Sequence, residues 1–166
     1  MNFLSHFYFD RYTQDPNLVI GGVLPDLVKN VRKDWTFHPE KRDFSEPSNE
    51  LDSILKGWKR HLEIDRHFHS SKFFFEHTAA LRTAIAPVLE NSPVRPSFLA
   101  HIALELMLDS LLLTEGILDA DDFYDLLSRS DQVAINQFLK INAAESPELF
   151  FPFLEEFIHA RYLNSY

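Results

Sequence analysis

Three histidines and an aspartate fall within nine positions of the segment WKRHLEIDRHFHSSKFFF, residues 58–75, in a chain with eight histidines in all. Read as a helix, the segment turns by about 100° per residue, so His61, Asp65 and His69, spaced four and four, drift by only about 80° along one face. His67 points elsewhere. Imidazole nitrogens and carboxylate oxygens stacked in this way are donors for a divalent cation. The competing reading is an exposed polar stripe in which Asp65 pairs with His61 or His69 and nothing is bound.

A second stripe repeats the spacing. SFLAHIALELMLDSLLL, residues 97–113, carries His101, Glu105 and Asp109 among Leu, Ile, Ala and Met. A carboxylate in apolar surroundings is costly unless it is paired, hydrogen-bonded or ligated. Either these three residues satisfy one another, or they face the first stripe across an inter-helix site. His6 in NFLSHFYF and Asp26 in GGVLPDLVKN are further donors that can converge on the same centre. Their plainer roles are a satisfied core histidine and a helix cap. His38, His77 and His159 have no acidic partner at a useful helical spacing. The chain has no cysteine, which excludes disulfides, thiolate ligands and a thiol nucleophile. His, Asp and Glu then favour hard or borderline divalent ions. No Ser-His-Asp arrangement, glycine-rich phosphate loop or dinucleotide fingerprint points to another enzyme class.

Elements that would position these residues follow from the apolar pattern, which recurs at three and four residues almost throughout. The expectation is an all-α chain, one domain over residues 1–166, with seven to eight helices. A first helix spans Asn2 to about Tyr12, and a second runs from about Leu18 to Val31, kinked or interrupted at Pro25. Trp35 to Ser48 reads as a loop, with Ser48 or Asn49 capping a helix that continues to residue 69. Ser70 or Ser71 caps the next, through about Glu90 and bent at Pro87, and Asn91–Pro96 closes it. Ser97–Thr114 is the most hydrophobic helix, ended by Gly116. Ala120–Ser128, Ser130–Asn142 and Pro147–Leu163 are shorter amphipathic helices. Sixteen phenylalanines against two tryptophans make Phe the expected filling of the core.

The net charge of −9 is uneven: residues 1–100 hold 13 basic and 13 acidic side chains, residues 101–166 only 3 basic against 12 acidic. A general nucleic-acid surface is disfavoured, while Lys29, Arg32, Lys33 and Lys56, Lys59, Arg60 form local basic clusters that suit an acidic partner or simply solvate helix faces. No leader pattern is evident and no segment is read as reaching the roughly 20 apolar residues of a membrane span, so a cytoplasmic protein without membrane contact is expected.

In order along the first 115 residues, MNFLSHFYF, GGVLPDLVKN, HLEID and MLDSLLL resemble the motifs of the acyl carrier protein phosphodiesterases, an all-helical family similar in architecture to the HD-type phosphohydrolases. The resemblance implies hydrolysis of the phosphodiester between 4′-phosphopantetheine and acyl carrier protein, a step of fatty acid and lipid metabolism, with a divalent metal, commonly manganese. It places His6, Asp26, His61, Asp65 and Asp109 on the family's motif positions. The chain departs from the pattern at Leu62, where arginine is expected, and at His69, Ser71 and Ser110, where the family carries Asp, His and His. Extra imidazole shifts the expected metal preference toward zinc or iron. The resulting reading is a metal-dependent phosphodiesterase with His6, Asp26, His61, Asp65, His69, His101 and Asp109 at the metal. Asp65 or Glu105 orients water or acts as base, and Arg60 or Arg66 neutralises phosphate. Two alternatives stand beside it: an inactive relative serving as a protein-binding module, and a phosphohydrolase for a different small phosphoester.

Overall fold

A computed structural model describes residues 1–44, 48–90 and 92–166; positions 45–47 of the expected loop, Pro47 among them, and Asn91 lie outside the described residues. Helix α1 (Phe3–Phe7) is shorter than its apolar pattern predicts, because the chain tightens into a 3-10 turn at Tyr8–Asp10 that carries Asp10 inward to pair with Arg60. Asp15 then accepts the Asn17 and Leu18 amides, and Pro16 occupies the first turn of α2 (Pro16–Val31). The helix is continuous across Pro25 rather than interrupted there. The carbonyl that loses its amide partner belongs to Gly21.

Ser48 caps α3 (Asn49–His69) by accepting the Leu51 amide, and Ser71 caps α4 (Lys72–Ile85) by accepting the Phe74 amide. Pro87 withholds the amide that the last turn of α4 needs, so that helix tightens to 3-10 at Ala86–Leu89 instead of running on to Glu90. Pro96 begins α5 (Pro96–Thr114), which Gly116 closes with φ 65°. Then follow α6 (Ala120–Ser128), α7 (Gln132–Ile141, capped by Asp131) and α8 (Phe150–Ala160), which Arg161 ends in the left-handed region. The eight helices form one compact body, with no strand among the described residues.

Helix α2 is the axis of the body. Val19, Ile20, Val23, Leu24, Leu27 and Val28 are buried on nearly all its sides, against Leu51, Ile54 and Trp58 of α3 and against Phe123, Ile135, Phe138 and Phe150 from the later helices. Seven of the sixteen phenylalanines are buried in this core, but aliphatic residues outnumber aromatic ones there, and Phe73, Phe75 and Phe98 of the α4–α5 hairpin stay exposed. Helix α4 buries no residue, and α5 buries only Ala100, Leu104 and Asp109. By length and composition alone the nineteen-residue α5, with mean hydropathy 1.5 in an 18-residue window, is long and apolar enough to cross a membrane, contrary to the expectation that no segment comes close.

The α2–α3 crossing brings backbone against backbone. A Cβ on Gly21 would overlap the Ile54 carbonyl, and one on Gly57 would overlap the Leu18 carbonyl and lie 2.6 Å from the Gly22 nitrogen. Gly57→Ala is therefore expected to force the helices apart and lower stability by about 1–3 kcal/mol, measured by urea denaturation. An unchanged midpoint would mean that the crossing relaxes without cost.

Candidate metal centre

The close crossing fixes the first ligand candidate. His61, one turn beyond Gly57, places Nδ1 2.8 Å from the Gly22 carbonyl and donates its proton there. Nε2 is left with a free lone pair and lies 3.9 Å from Asp26 Oδ1. Burial, followed by the neighbouring His6, pushes the His61 ring down to about 3, so the imidazole is neutral at physiological pH. His6 stacks on it with ring centroids 3.8 Å apart, and neither ring nitrogen of this buried histidine has a hydrogen-bond partner. Its Nε2 lies 3.5 Å from Asp65 Oδ1. Two unpartnered buried nitrogens beside a carboxylate are what a cation would satisfy.

Asp65, one turn further along α3, sits between the two stripes. The Met1 amino group lies 2.5 Å from its Oδ1 and 3.2 Å from Glu105 Oε1, so one positive nitrogen is shared by carboxylates of α3 and α5. Burial works against the charge on Asp65, but the His6 ring and the Met1 amine outweigh it and hold the carboxyl well below its usual range. Asp26 goes the other way. Burial, together with the like charges of Asp65 and Glu105 and against the pull of the Met1 amine, pushes it up to about 7.

Beyond Asp65 the line of donors continues into His69, His101 and Glu105. His101 Nε2 is 2.8 Å from Glu105 Oε1, and His69 Nε2 is 3.1 Å from His101 Nε2 and 3.3 Å from the same carboxylate oxygen. Phe74 packs edge-on against both imidazoles, with centroids at 4.9 and 5.1 Å. On the outer side of His101 a cleft of about 370 Å³ opens between α4 and α5, lined by Phe74, Phe75, Thr78, Ala79, Arg82 and Ser97.

Four helices thus bring together His6, Asp26, His61, Asp65, His69, His101 and Glu105. Asp109 is adjacent, but its oxygens are used otherwise. Wholly buried, it accepts the Leu4 amide at 3.1 Å, the Ser5 amide at 2.7 Å and the Ser5 hydroxyl at 2.6 Å, clamping α1 onto α5. Burial pushes its carboxyl up even against these donors. Arg60 is tied to Asp10, and Arg66 is exposed with no hydrogen bond or ion pair among the described residues, so neither is brought to the donors. His67, His38 and His77 lie on exposed surfaces, beside Glu63, Glu40 and Phe73 respectively. The sequence reading passed over Arg82, although Phe74, Thr78 and Arg82 share a four-and-four spacing. It also passed over Ser5 and Gly22, which act through backbone geometry that no residue-type pattern encodes.

Comparison of the chain with protein-family models, with curated proteins and with solved structures finds no match.

The clamp gives a direct test of what Asp109 does. Asp109→Ala leaves the Leu4 and Ser5 amides without an acceptor and is expected to cost about 3 kcal/mol, with α1 losing hydrogen-exchange protection. Metal affinity falls only as a consequence of His6 moving. Lost metal binding with stability and α1 protection intact would make Asp109 a ligand instead.

Proposed function

We propose that the chain is a metal-dependent phosphodiester hydrolase of the acyl carrier protein phosphodiesterase type, on an HD-phosphohydrolase-like scaffold, acting in the cytoplasm. The observation that carries this reading is the gathering of imidazole and carboxylate groups from α1, α3 and α5 into two adjacent groups of three, with the Met1 amine between Asp65 and Glu105 and Asp26 beside His61. His6, His61 and Asp65, with Asp26 behind His61, are the groups that would hold the ion; nitrogen and oxygen donors in this mixture fit manganese, iron or zinc. When bound, a divalent ion supplies Lewis acidity toward a phosphoryl oxygen and lowers the pKa of water.

The protein's own groups have separable tasks. The bond to the Gly22 carbonyl fixes the His61 tautomer and aims Nε2. Asp65 keeps its charge and anchors the cation. Glu105, oriented by His101, would take a proton from an attacking water while no ion occupies the outer His69, His101 and Glu105 group. Arg82, in the cleft next to His101, replaces Arg60 and Arg66 as the cation offered to a phosphate.

The test is release of 4′-phosphopantetheine from holo-acyl carrier protein by chelator-stripped protein reloaded with manganese. His61→Ala or Asp65→Ala is expected to lower the rate at least about a thousandfold, the equivalent of about 4 kcal/mol of transition-state stabilisation. Binding of acyl carrier protein without release would make the scaffold a binding module, and turnover of a small phosphodiester alone would move the substrate class.

An acidic partner approaching a chain of charge −9 needs a local positive face. Arg32 is engaged by Asp34 and Glu145, and Arg60 by Asp10, which leaves Lys29, Lys33, Lys56 and Lys59, the last two exposed on α3. The double variant Lys56→Glu, Lys59→Glu is expected to weaken acyl carrier protein binding severalfold at low salt, with the difference vanishing at high salt. Equal affinity at low salt would remove α3 as the docking face.

A further inference from the structure

The outer end of the donor line repeats the donor types of the inner end but is less buried. His69, His101 and Glu105 come from two helices, and their three facing atoms form a nearly equilateral triangle with edges of 2.8, 3.1 and 3.3 Å. For metal–nitrogen and metal–oxygen bonds of about 2.1 Å, two neighbouring ligands are about 3.0 Å apart in an octahedron and about 3.4 Å apart in a tetrahedron. The observed edges match one face of an octahedron.

Hydrogen bonding alone does not satisfy the triangle. His69 Nδ1 donates to the Asp65 main-chain carbonyl at 2.8 Å, so in the neutral ring Nε2 is an acceptor. A proton on His101 Nε2 can then serve either His69 Nε2 or Glu105 Oε1, and although the Met1 amine 3.2 Å away can also serve that oxygen, the lone pairs of His69 Nε2 and Glu105 Oε1 still face each other at 3.3 Å. A cation at the centre of the face serves all three. The His69 bond to Asp65 is also the type of outer contact that fixes a ligating tautomer. Phe68 and Phe74 hold the His69 ring from the side, at centroid distances of 5.2 and 4.9 Å. The remaining side is open: the side chains of His69, His101 and Glu105 keep 30%, 43% and 17% of their exposure, which leaves room for water at the other positions.

We infer that His69, His101 and Glu105 form a second metal site, a facial two-histidine, one-carboxylate site for a borderline divalent ion of the iron-to-zinc series, separate from the inner His6, His61 and Asp65 group. Two imidazoles with one carboxylate suit these ions better than they suit magnesium. The assignment rests on the triangle and needs neither the hydrolase reading nor the inner ion.

The test counts ions. Chelator-stripped parent protein is dialysed against zinc and analysed by mass spectrometry, together with His101→Ala, which alters a half-exposed side chain, and His61→Ala. Two equivalents in the parent and one in each variant are expected. Zinc affinity at the outer site of His101→Ala should fall at least about 100-fold, since losing an outer-shell partner alone costs about 10–100-fold. Ring nitrogen resonances of His69 and His101 in the parent should shift on zinc addition, a readout that needs no variant to fold. An unchanged ion count in His101→Ala, or no shift at either ring in the parent, would reduce the triad to a hydrogen-bonded relay and overturn the inference. Failure of the hydrolase reading looks different, because His101→Ala would then lose one ion while His61→Ala lost none.

Discussion

The structure depends on one close approach, the contact of the α2 and α3 backbones at Gly21, Gly22 and Gly57. Side chains of any size at Gly21 or Gly57 would hold the helices at an ordinary interaxial distance of about 8–10 Å. Their absence lets His61 reach the Gly22 carbonyl, and that bond decides which ring nitrogen faces the donors. A packing constraint is converted here into a tautomer. The buried, neutral His61 then supplies the flat surface on which His6 stacks, so the placement of α1 follows from the same crossing.

Asp109 completes the arrangement from the opposite side. A wholly buried carboxylate is normally an expense, but three donors from one short helix compensate it, and α1 gains an attachment that five residues could not secure by apolar contact alone. The His101, Glu105, Asp109 stripe therefore splits its duties. Its last member holds the scaffold that presents His6, and its first two members face α3.

Much of this was legible in the residue pattern. The four-and-four stripes on α3 and α5 are local, and local periodicity survives folding because a helix maps spacing onto a face. The caps at Ser48 and Ser71 are local for the same reason. What the pattern did not carry is pairwise and long-range: Arg60 paired with Asp10 across fifty positions, and the terminal residue Met1 lying between Asp65 and Glu105. The helix over residues 18–31 with Pro25 inside it was legible, but whether Pro25 interrupts it was not. Apolar composition likewise overstated the burial of α5, whose Met107 and Leu111 remain half exposed although nearly every position on the helix is hydrophobic.

The electrostatics of the centre tie these threads together. Two carboxylates, Asp26 and Asp65, flank the same pair of stacked histidines, yet one is driven up and the other down. Burial opposes charge on both, so burial does not separate them. What separates them is position relative to positive charge: the Met1 amine touches Asp65 directly, while Asp26 feels it only at a distance and feels Asp65 and Glu105 as like charges. Two titratable groups pushed apart by one asymmetrically placed cation form a site whose ionisation is set by where positive charge sits. A further cation between Asp26, His61 and Asp65 would draw Asp26 back into its charged form and give the unpartnered Nε2 of His6, which lies 3.5 Å from Asp65, a partner.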